Sequence, residues 1–443
     1  MVEKILELLE SKKIAELHAL LESMNSADIP SIFEELDDEK IVVVYRLLSK
    51  DMTAEGFVEL DSDMQEKLIN SLTDKELKAV ISDLFMDDTV DLIEEMPANV
   101  VKRILKAEKP EDRKLINELL KYPEDSAGSI MTTEFIDLKE NMTVEDAIER
   151  IRATGDDAES IYTCYVLTLK RKLLGVVYLK DIILAKKGTL VKDIMDENFI
   201  KAYTLEDQEE VANKFDKYDE TSIPVVDNEN RLVGIITIDD ALDVLKEEVN
   251  EDFEKMAAIT PSDDSYFKTS VFKHARNRIF WLLILMISST VTGGIIANYE
   301  NAFAAIPILV AFIPMVMGTG GNCGSQSSTL IIRGLSNSDI KLKDFLKAWW
   351  KEIRVALLVG LALFVVNFVR IMVQYHNLQL ALIVGLTLIG TVAIAKSLGC
   401  LLPMIAKKLK LDPAIMAAPL ISTILDTCSV LLYFNIATLL LGL

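Results

Sequence analysis

The chain has 443 residues, half of them hydrophobic, with 47 Lys and Arg against 69 Asp and Glu and a formal net charge of -22. That length suits about three domains. The charge excludes nucleic acid, whose phosphates need clustered Lys and Arg, and equally a basic membrane-surface module. Charge and apolar content are segregated: residues 1–275 hold 63 acidic and 34 basic side chains, net -29, and the remainder 6 acidic and 13 basic, net +7. Cys164, Cys323, Cys400 and Cys428 lack CxxC spacing, so they imply neither a disulfide framework nor a zinc cluster and are expected reduced and buried. The N-terminal MVEKILELLESKKIAELHALL is amphipathic and charged, without the apolar core of a secretory leader, so a cytosolic N-terminus is expected. An enzyme is disfavoured, since no nucleophile with a base, Walker loop or kinase signature is found.

Residues 1–125 read as an acidic helical domain, with apolar residues at spacings of 3 and 4. Phe33 to Asp37, Phe57 to Asp61 and Leu92 to Pro97 each close one helix before the next amphipathic run, which fits stacked hairpins of solenoid type. Asp87 and Asp91, with Asp88 between them, share one helix face, either as a solvated acidic face or as a divalent-ion site.

Residues 126–245 change to βαβ character, twice. One copy runs from Ile130-Met131-Thr132 through a helix at Val144–Ile151 and a strand at Tyr162–Leu169 to Leu174–Asp181. The second runs from Ile194-Met195 through a helix at Glu209–Phe215 and Ser222–Asp227 to Leu232–Asp240. This resembles a tandem pair of CBS domains, which implies a pseudo-symmetric pair binding an adenine nucleotide such as ATP. The resemblance puts ribose at Asp181, with Asp240 its equivalent, and Tyr178 where that family commonly has Ser or Thr.

The segment 241–275 begins with a helix at Ala241–Ala258, apolar at Leu242, Leu245, Val249, Phe253 and Met256. Its other faces carry Asp243, Glu247, Glu248, Glu251, Asp252 and Glu254, either solvated or sensing cytosolic cations.

Residues 276–443 contain five apolar stretches that can each cross about 30 Å of hydrocarbon: Ile279–Asn298, Phe303–Ile332, Trp350–Tyr375, Leu378–Ala406 and Pro413–Leu441. Lys and Arg concentrate in Arg333–Arg354 and at Lys407, Lys408 and Lys410, while Tyr299-Glu300-Asn301 and His376-Asn377 carry none. The positive-inside rule then makes the basic connections cytoplasmic, and five spans leave the C-terminus outside. Pro307, Pro314 and the run Gly318–Gln326 are expected to break the second span, its freed carbonyls lining an ion path or its small residues packing closely. Gly293-Gly294 reads as close helix packing.

Asp426, near the middle of the fifth span, is either buried against backbone donors or a cation ligand, and the second reading is favoured. Asp412 lies 14 residues earlier, which on one continuous helix puts both carboxylates on the same face about 21 Å apart, an entrance and a site on one path. The oxygen donors Asp412, Asp426, Asn322 and Gln326 suit Mg, Ca or Mn, and no His falls in a predicted span. Two or more chains could present their Asp426 side chains to an ion that keeps several waters, as Mg²⁺ does.

The order of parts, with GlyGlyAsnCysGlySerGln in the second span and AspProAla then SerThrIleLeuAsp in the fifth, resembles the MgtE family of magnesium channels over essentially the whole chain. The resemblance implies a multidomain fold: an α-helical solenoid N domain, α/β tandem CBS domains and a five-helix transmembrane domain in the cell membrane. It implies a homodimer with Asp426 of both subunits on hydrated Mg²⁺, Asp412 at the cytoplasmic mouth and Asn322 lining the path. It also implies closure by intracellular Mg²⁺ at Asp87, Asp91, Asp239, Asp240, Asp243, Glu248, Glu251 and Asp252, with Glu55 a further candidate. A coupled transporter exchanging a divalent cation for Na⁺ or H⁺ is the alternative reading, and a non-transporting CBS sensor is a third.

Overall fold

The computed structural model describes residues 2–262, 266–267, 269–299, 307–337, 339–416 and 418–442. They form two compact units, Met1–Leu245 and Lys246–Leu443, whose boundary falls inside the helix Ile238–Met256.

The first unit opens with ten α-helices among the described residues, from Val2–Glu10 to Pro110–Leu119. Their starts are written in side chains: Ser49 and Asp61 accept from the amides of Met52 and Met64, and Thr73 forms a reciprocal capping box with Glu76. None exceeds ten residues, below the length at which an isolated helix is stable, so burial of Ile5, Leu17, Phe33, Tyr45, Phe57, Leu68, Val100 and Ile104 must hold them.

Two three-stranded sheets follow. In the first, β1 (Phe135–Leu138) pairs parallel with β2 (Ser160–Leu167), which pairs antiparallel with β3 (Leu173–Tyr178). In the second, β4 (Ala202–Tyr203), β5 (Ser222–Val226) and β6 (Leu232–Thr237) repeat that order. Helices Val144–Thr154 and Gln208–Tyr218 make the parallel crossovers.

The two copies exchange their lead-in segments. Thr132, ahead of β1, bonds Ile235 of β6 in both directions, and Asp196, ahead of β4, does the same with Val176 of β3. This explains a glycine in each last strand: a Cβ on Gly234 would lie 2.5 Å from the Thr132 carbonyl oxygen, and one on Gly175 2.7 Å from that of Asp196. The second copy also shares a core with the helical domain, through Ala127, Met131, Val211, Phe215, Ile236 and Val244. Asp239 and Asp240 stand in the first turn of the helix Ile238–Met256, which starts earlier than the expected Ala241.

In the second unit, five helical stretches are long and apolar enough to cross a membrane: Val271–Ala297, Pro307–Ser336, Leu342–Tyr375, Leu378–Lys408 and Pro413–Leu441. The first starts eight residues before the expected Ile279, so His274 falls within it. Phe303, the expected start of the second, and the connection at Glu300-Asn301 lie outside the described residues.

Three expectations are corrected here. The second span is not unwound at its glycines, because Ile313–Ser336 is one α-helix through Gly318–Gln326. Pro314 sits in its first turn, where no amide is needed, and all its run's glycines but Gly318 are filled by neighbours: a Cβ on Gly320 would meet Ser429 Oγ at 2.6 Å, and one on Gly324 would meet Leu425 Cδ1 at 2.2 Å. Gly293 and Gly294, expected at a tight helix contact, have nothing within 4 Å of a built Cβ. Asp412 does not share a helix with Asp426: Pro413–Met416 is a 3-10 turn and the α-helix runs from Ala418 to Leu441. Pro413 disfavours helical backbone at the residue before it, so Asp412 stays in the connection. Cys164, Cys323 and Cys400 are buried free thiols, whereas Cys428 is only partly buried.

Candidate functional site

The fifth span meets the second through Ser422, Leu425 and Ser429, the residues that touch the built Cβ positions of Gly320, Gly321 and Gly324. Asp426 lies in this stripe, four residues after Ser422 and three before Ser429, and is half-buried. Among the described residues no side chain donates to its carboxylate, while next to it Thr427 Oγ1 bonds Thr292 Oγ1 of the first span at 2.6 Å. An ionisable group with no protein partner in an apolar helix is costly unless a cation or water meets it. Asn322 and Gln326, four residues apart, lie on the exposed face of the second span. Lipid cannot satisfy such amides, so that face calls for water, an ion or another chain.

Asp412 is engaged on both oxygens. Oδ1 caps the Ala414 amide at 2.7 Å, and Oδ2 lies 2.6 Å from Lys255 Nζ on the helix Ile238–Met256. Lys255 also pairs with Glu251 at 2.5 Å. Burial works against the charged ammonium, but its bonds to Asp412 and Glu251 outweigh that and raise its pKa. Glu251, expected in a sensor, is thus tied to a cation of its own helix. Glu248 and Asp252 lie in the second unit with it.

In the first unit, the helix Met86–Glu95 brings Asp87, Asp88 and Asp91 close to Asp240, Asp239, Glu134 and Glu159 of the CBS pair. Asp87 is buried, 8% exposed, while Asp91 on the same face is exposed, so the face is solvated only in part. Burial first and neighbouring carboxylates second push Asp88 up to about 7, Glu159 to about 8 and Asp87 well above the usual range. Asp240 rises to about 6, burial outweighing its bonds from Thr237. Asp243 adds to the repulsion on Asp240. Glu159 was not foreseen, and its Oε2 is buried with no hydrogen bond. It is a single acid between a 3-10 turn and β2, which carries no periodic signal.

Among the described residues no three acidic, His or Cys side chains converge closely enough to enclose an ion. The donor set is nonetheless all carboxylate, suited to a hard divalent cation that retains water between itself and the protein. Glu55 is not in this cluster. It lines an adjoining cavity of about 780 Å³ with Glu134, Asp156 and Asp157, where Lys50, Lys78 and Lys109 supply positive charge. Tyr178, at the end of β3, has its pKa raised by burial and then by Glu220, Asp196 and Asp181, the last in the helix Leu179–Leu184.

Residues 24–125 match the MgtE intracellular N domain, 127–188 and 191–247 the CBS domain, and 313–436 the MgtE divalent cation transporter family. Over 403 residues, 90% of this chain and 89% of the relative, the sequence is 37% identical to the magnesium transporter MgtE of Thermus thermophilus. The chain belongs to the MgtE family. A second MgtE magnesium transporter, from Bacillus subtilis, is 34% identical over 88% of this chain and 86% of its own length. Among solved MgtE structures, the cytosolic domain of the Mg²⁺ channel MgtE in complex with ATP aligns with a TM-score of 0.53 and 36% identity, covering 55% of this chain and all of that one. The soluble part of a magnesium transporter aligns at 0.52 with 30% identity, covering 56% and 97%. The expected fold class stands: helical N domain, tandem CBS domains and five apolar helices.

Proposed function

We propose that this chain is a multi-pass cell-membrane channel importing Mg²⁺, closed by Mg²⁺ on its cytosolic side. The observation that carries the reading is Asp426, an acid without a partner among the described residues, in the middle of an apolar helix and set in a stripe of hydroxyls against the second span. One carboxylate per chain is too few for a dehydrated ion, so a homodimer presenting two Asp426 side chains to hydrated Mg²⁺ is assigned. The outward amides of Asn322 and Gln326 support this, since a partner chain and a wet path would satisfy them. The N-terminus and the basic connections are placed in the cytosol, and the C-terminus outside.

Closure is assigned to the carboxylates of the first unit: Asp87, Asp91, Asp239, Asp240 and Asp243, joined by Asp88 and Glu159. Without a cation their repulsion loosens the contact between helical domain and CBS pair. A divalent ion among them removes that penalty, and only differential affinity for the two arrangements shifts the balance. Asp412 is assigned to the cytoplasmic mouth, where Lys255 holds the place a cation would take. Glu248, Glu251 and Asp252 on the connecting helix complete the regulatory set, with Glu55 a peripheral member. ATP is assigned to the CBS pair at Asp181 and Tyr178. The acids around Tyr178 favour its Mg²⁺ complex over the bare triphosphate.

Patch recording with cytosolic Mg²⁺ varied tests the reading. The expected currents reverse at the Mg²⁺ equilibrium potential, ignore Na⁺ and H⁺ gradients and decline as cytosolic Mg²⁺ rises. A reversal potential that follows Na⁺ or H⁺ would establish coupled transport instead.

A further inference from the structure

One buried ionic group in the second unit stands outside the residues assigned to that path. Lys396 on the fourth span is 4% exposed, and Glu352 on the third keeps 12% of its side chain exposed. Ser327 of the second span stands between them: its hydroxyl donates to Glu352 Oε2 at 2.6 Å and accepts from Lys396 Nζ at 3.0 Å, with 3.7 Å between the two charges. Three helices are thus joined at one point. The seam around it is tight, since a Cβ on Gly399 would lie 2.5 Å from the Gly324 carbonyl oxygen and 2.9 Å from Ser327 Cβ. Alongside, Trp349 Nε1 bonds Ser397 Oγ at 3.2 Å. The next residue, Ser328, donates to the Met416 carbonyl at 2.9 Å, in the turn that follows Asp412.

On an α-helix, Ser327 lies five residues from Asn322, about 140° around and about 7.5 Å along. The group therefore grips the second span from behind its exposed amide face. A lone lysine there would be a fixed positive charge in low dielectric, opposing any cation that approaches that span.

We propose that Glu352 and Lys396, joined through Ser327, are a positioning and charge-balancing pair: Glu352 cancels the lysine's field at the cation path and fixes how the second span presents Asn322 and Gln326. The inference rests on the channel reading of the same unit. It predicts an effect that depends on ion valence, because a site potential enters the energy in proportion to charge, so a divalent flux falls by the square of the factor lost by a monovalent one.

The test uses the full chain in proteoliposomes, comparing Mg²⁺ currents with Na⁺ currents in divalent-free solution for wild type, Glu352→Gln, Glu352→Asp and Glu352→Gln/Lys396→Met. Wild type without a Mg²⁺ current would remove the channel reading itself. Given that current, Glu352→Gln is expected to cut it roughly tenfold and the Na⁺ current roughly threefold, whereas Glu352→Asp and the double variant keep the wild-type ratio. Equal losses for both ions, or a double variant no better than the single, would overturn the proposal. Should Glu352→Gln fail to assemble, the double variant decides. Assembly with the wild-type ratio upholds the pair, because removing both charges relieves what removing one creates. Failure or an altered ratio refutes it.

Discussion

Both units pair some acids with cations of their own, and they differ in the acids they leave over. In the membrane unit Glu352 is met by Lys396 and Asp412 by Lys255, whereas Asp426 has no cation of the chain against it among the described residues. In the first unit Asp87, Asp88, Asp91, Glu159 and Asp240 gather, and among the described residues the foremost charges acting on them are carboxylates, Asp239 and Glu134 included. Where a lysine is built in, the carboxylate is structural or reserved. Where it is withheld, the protein leaves a charge that only something from solution can neutralise.

The sharpest way to break this contrast is to remove the lone acid. Asp426→Ala is expected to reduce Mg²⁺ uptake into proteoliposomes by on the order of 100-fold, the equivalent of about 3 kcal/mol, with folding retained. Undiminished uptake would sink the assignment.

The next effect lies in the acid cluster. Asp88, Asp240 and Glu159 hold protons more tightly when folded than the ordinary carboxylate near 4, so the native contact loses stability as pH rises from about 4, and the loss levels off above their folded values of about 6 to 8. Without Mg²⁺, thermal stability should therefore fall between pH 5 and pH 8 by roughly 5 °C or more, and saturating Mg²⁺ should flatten that slope. In Asp88→Asn/Glu159→Gln the melting temperature without Mg²⁺ should rise, and the further rise on adding Mg²⁺ should shrink. An unchanged Mg²⁺ response would place the sensor elsewhere.

The smallest effect concerns the reserved acid. Lys255→Gln frees Asp412 at a partly exposed pair, so a change of at most about fivefold is expected, in line with about 1 kcal/mol. Mg²⁺ current at fixed cytosolic Mg²⁺ should increase, and a current equal to wild type would mean that the lysine does not compete with the ion.

Much of the architecture was legible because long-range patterns write it. Five apolar stretches and two rounds of strand, helix, strand need no contact information to be seen. The glycines of the second span misled, because a Gly-rich run signals both a break and a close approach. Ser429 and Leu425, a hundred residues away in sequence, decide in favour of approach. A single residue, Pro413, ends the continuous helix that would have put Asp412 on the face of Asp426. Glu352 stands among Lys347, Lys351 and Arg354 near the start of one 31-residue helix and Lys396 alone inside another, and nothing local tells that they meet. Glu159 is invisible for the same reason.

The exchange of lead-in segments between the CBS copies also sets a schedule for biosynthesis. Thr132 leaves the ribosome about a hundred residues before its partner Ile235, an interval of roughly 5–20 s at ordinary elongation rates. For that time the segment that follows the helical domain has an unfilled bonding edge, and the first copy cannot close on itself to satisfy it. A ribosome stalled between the copies would display that edge to every neighbouring chain, so the stretch from Lys186 to Leu232 should tolerate slow translation worse than any other part of the first unit.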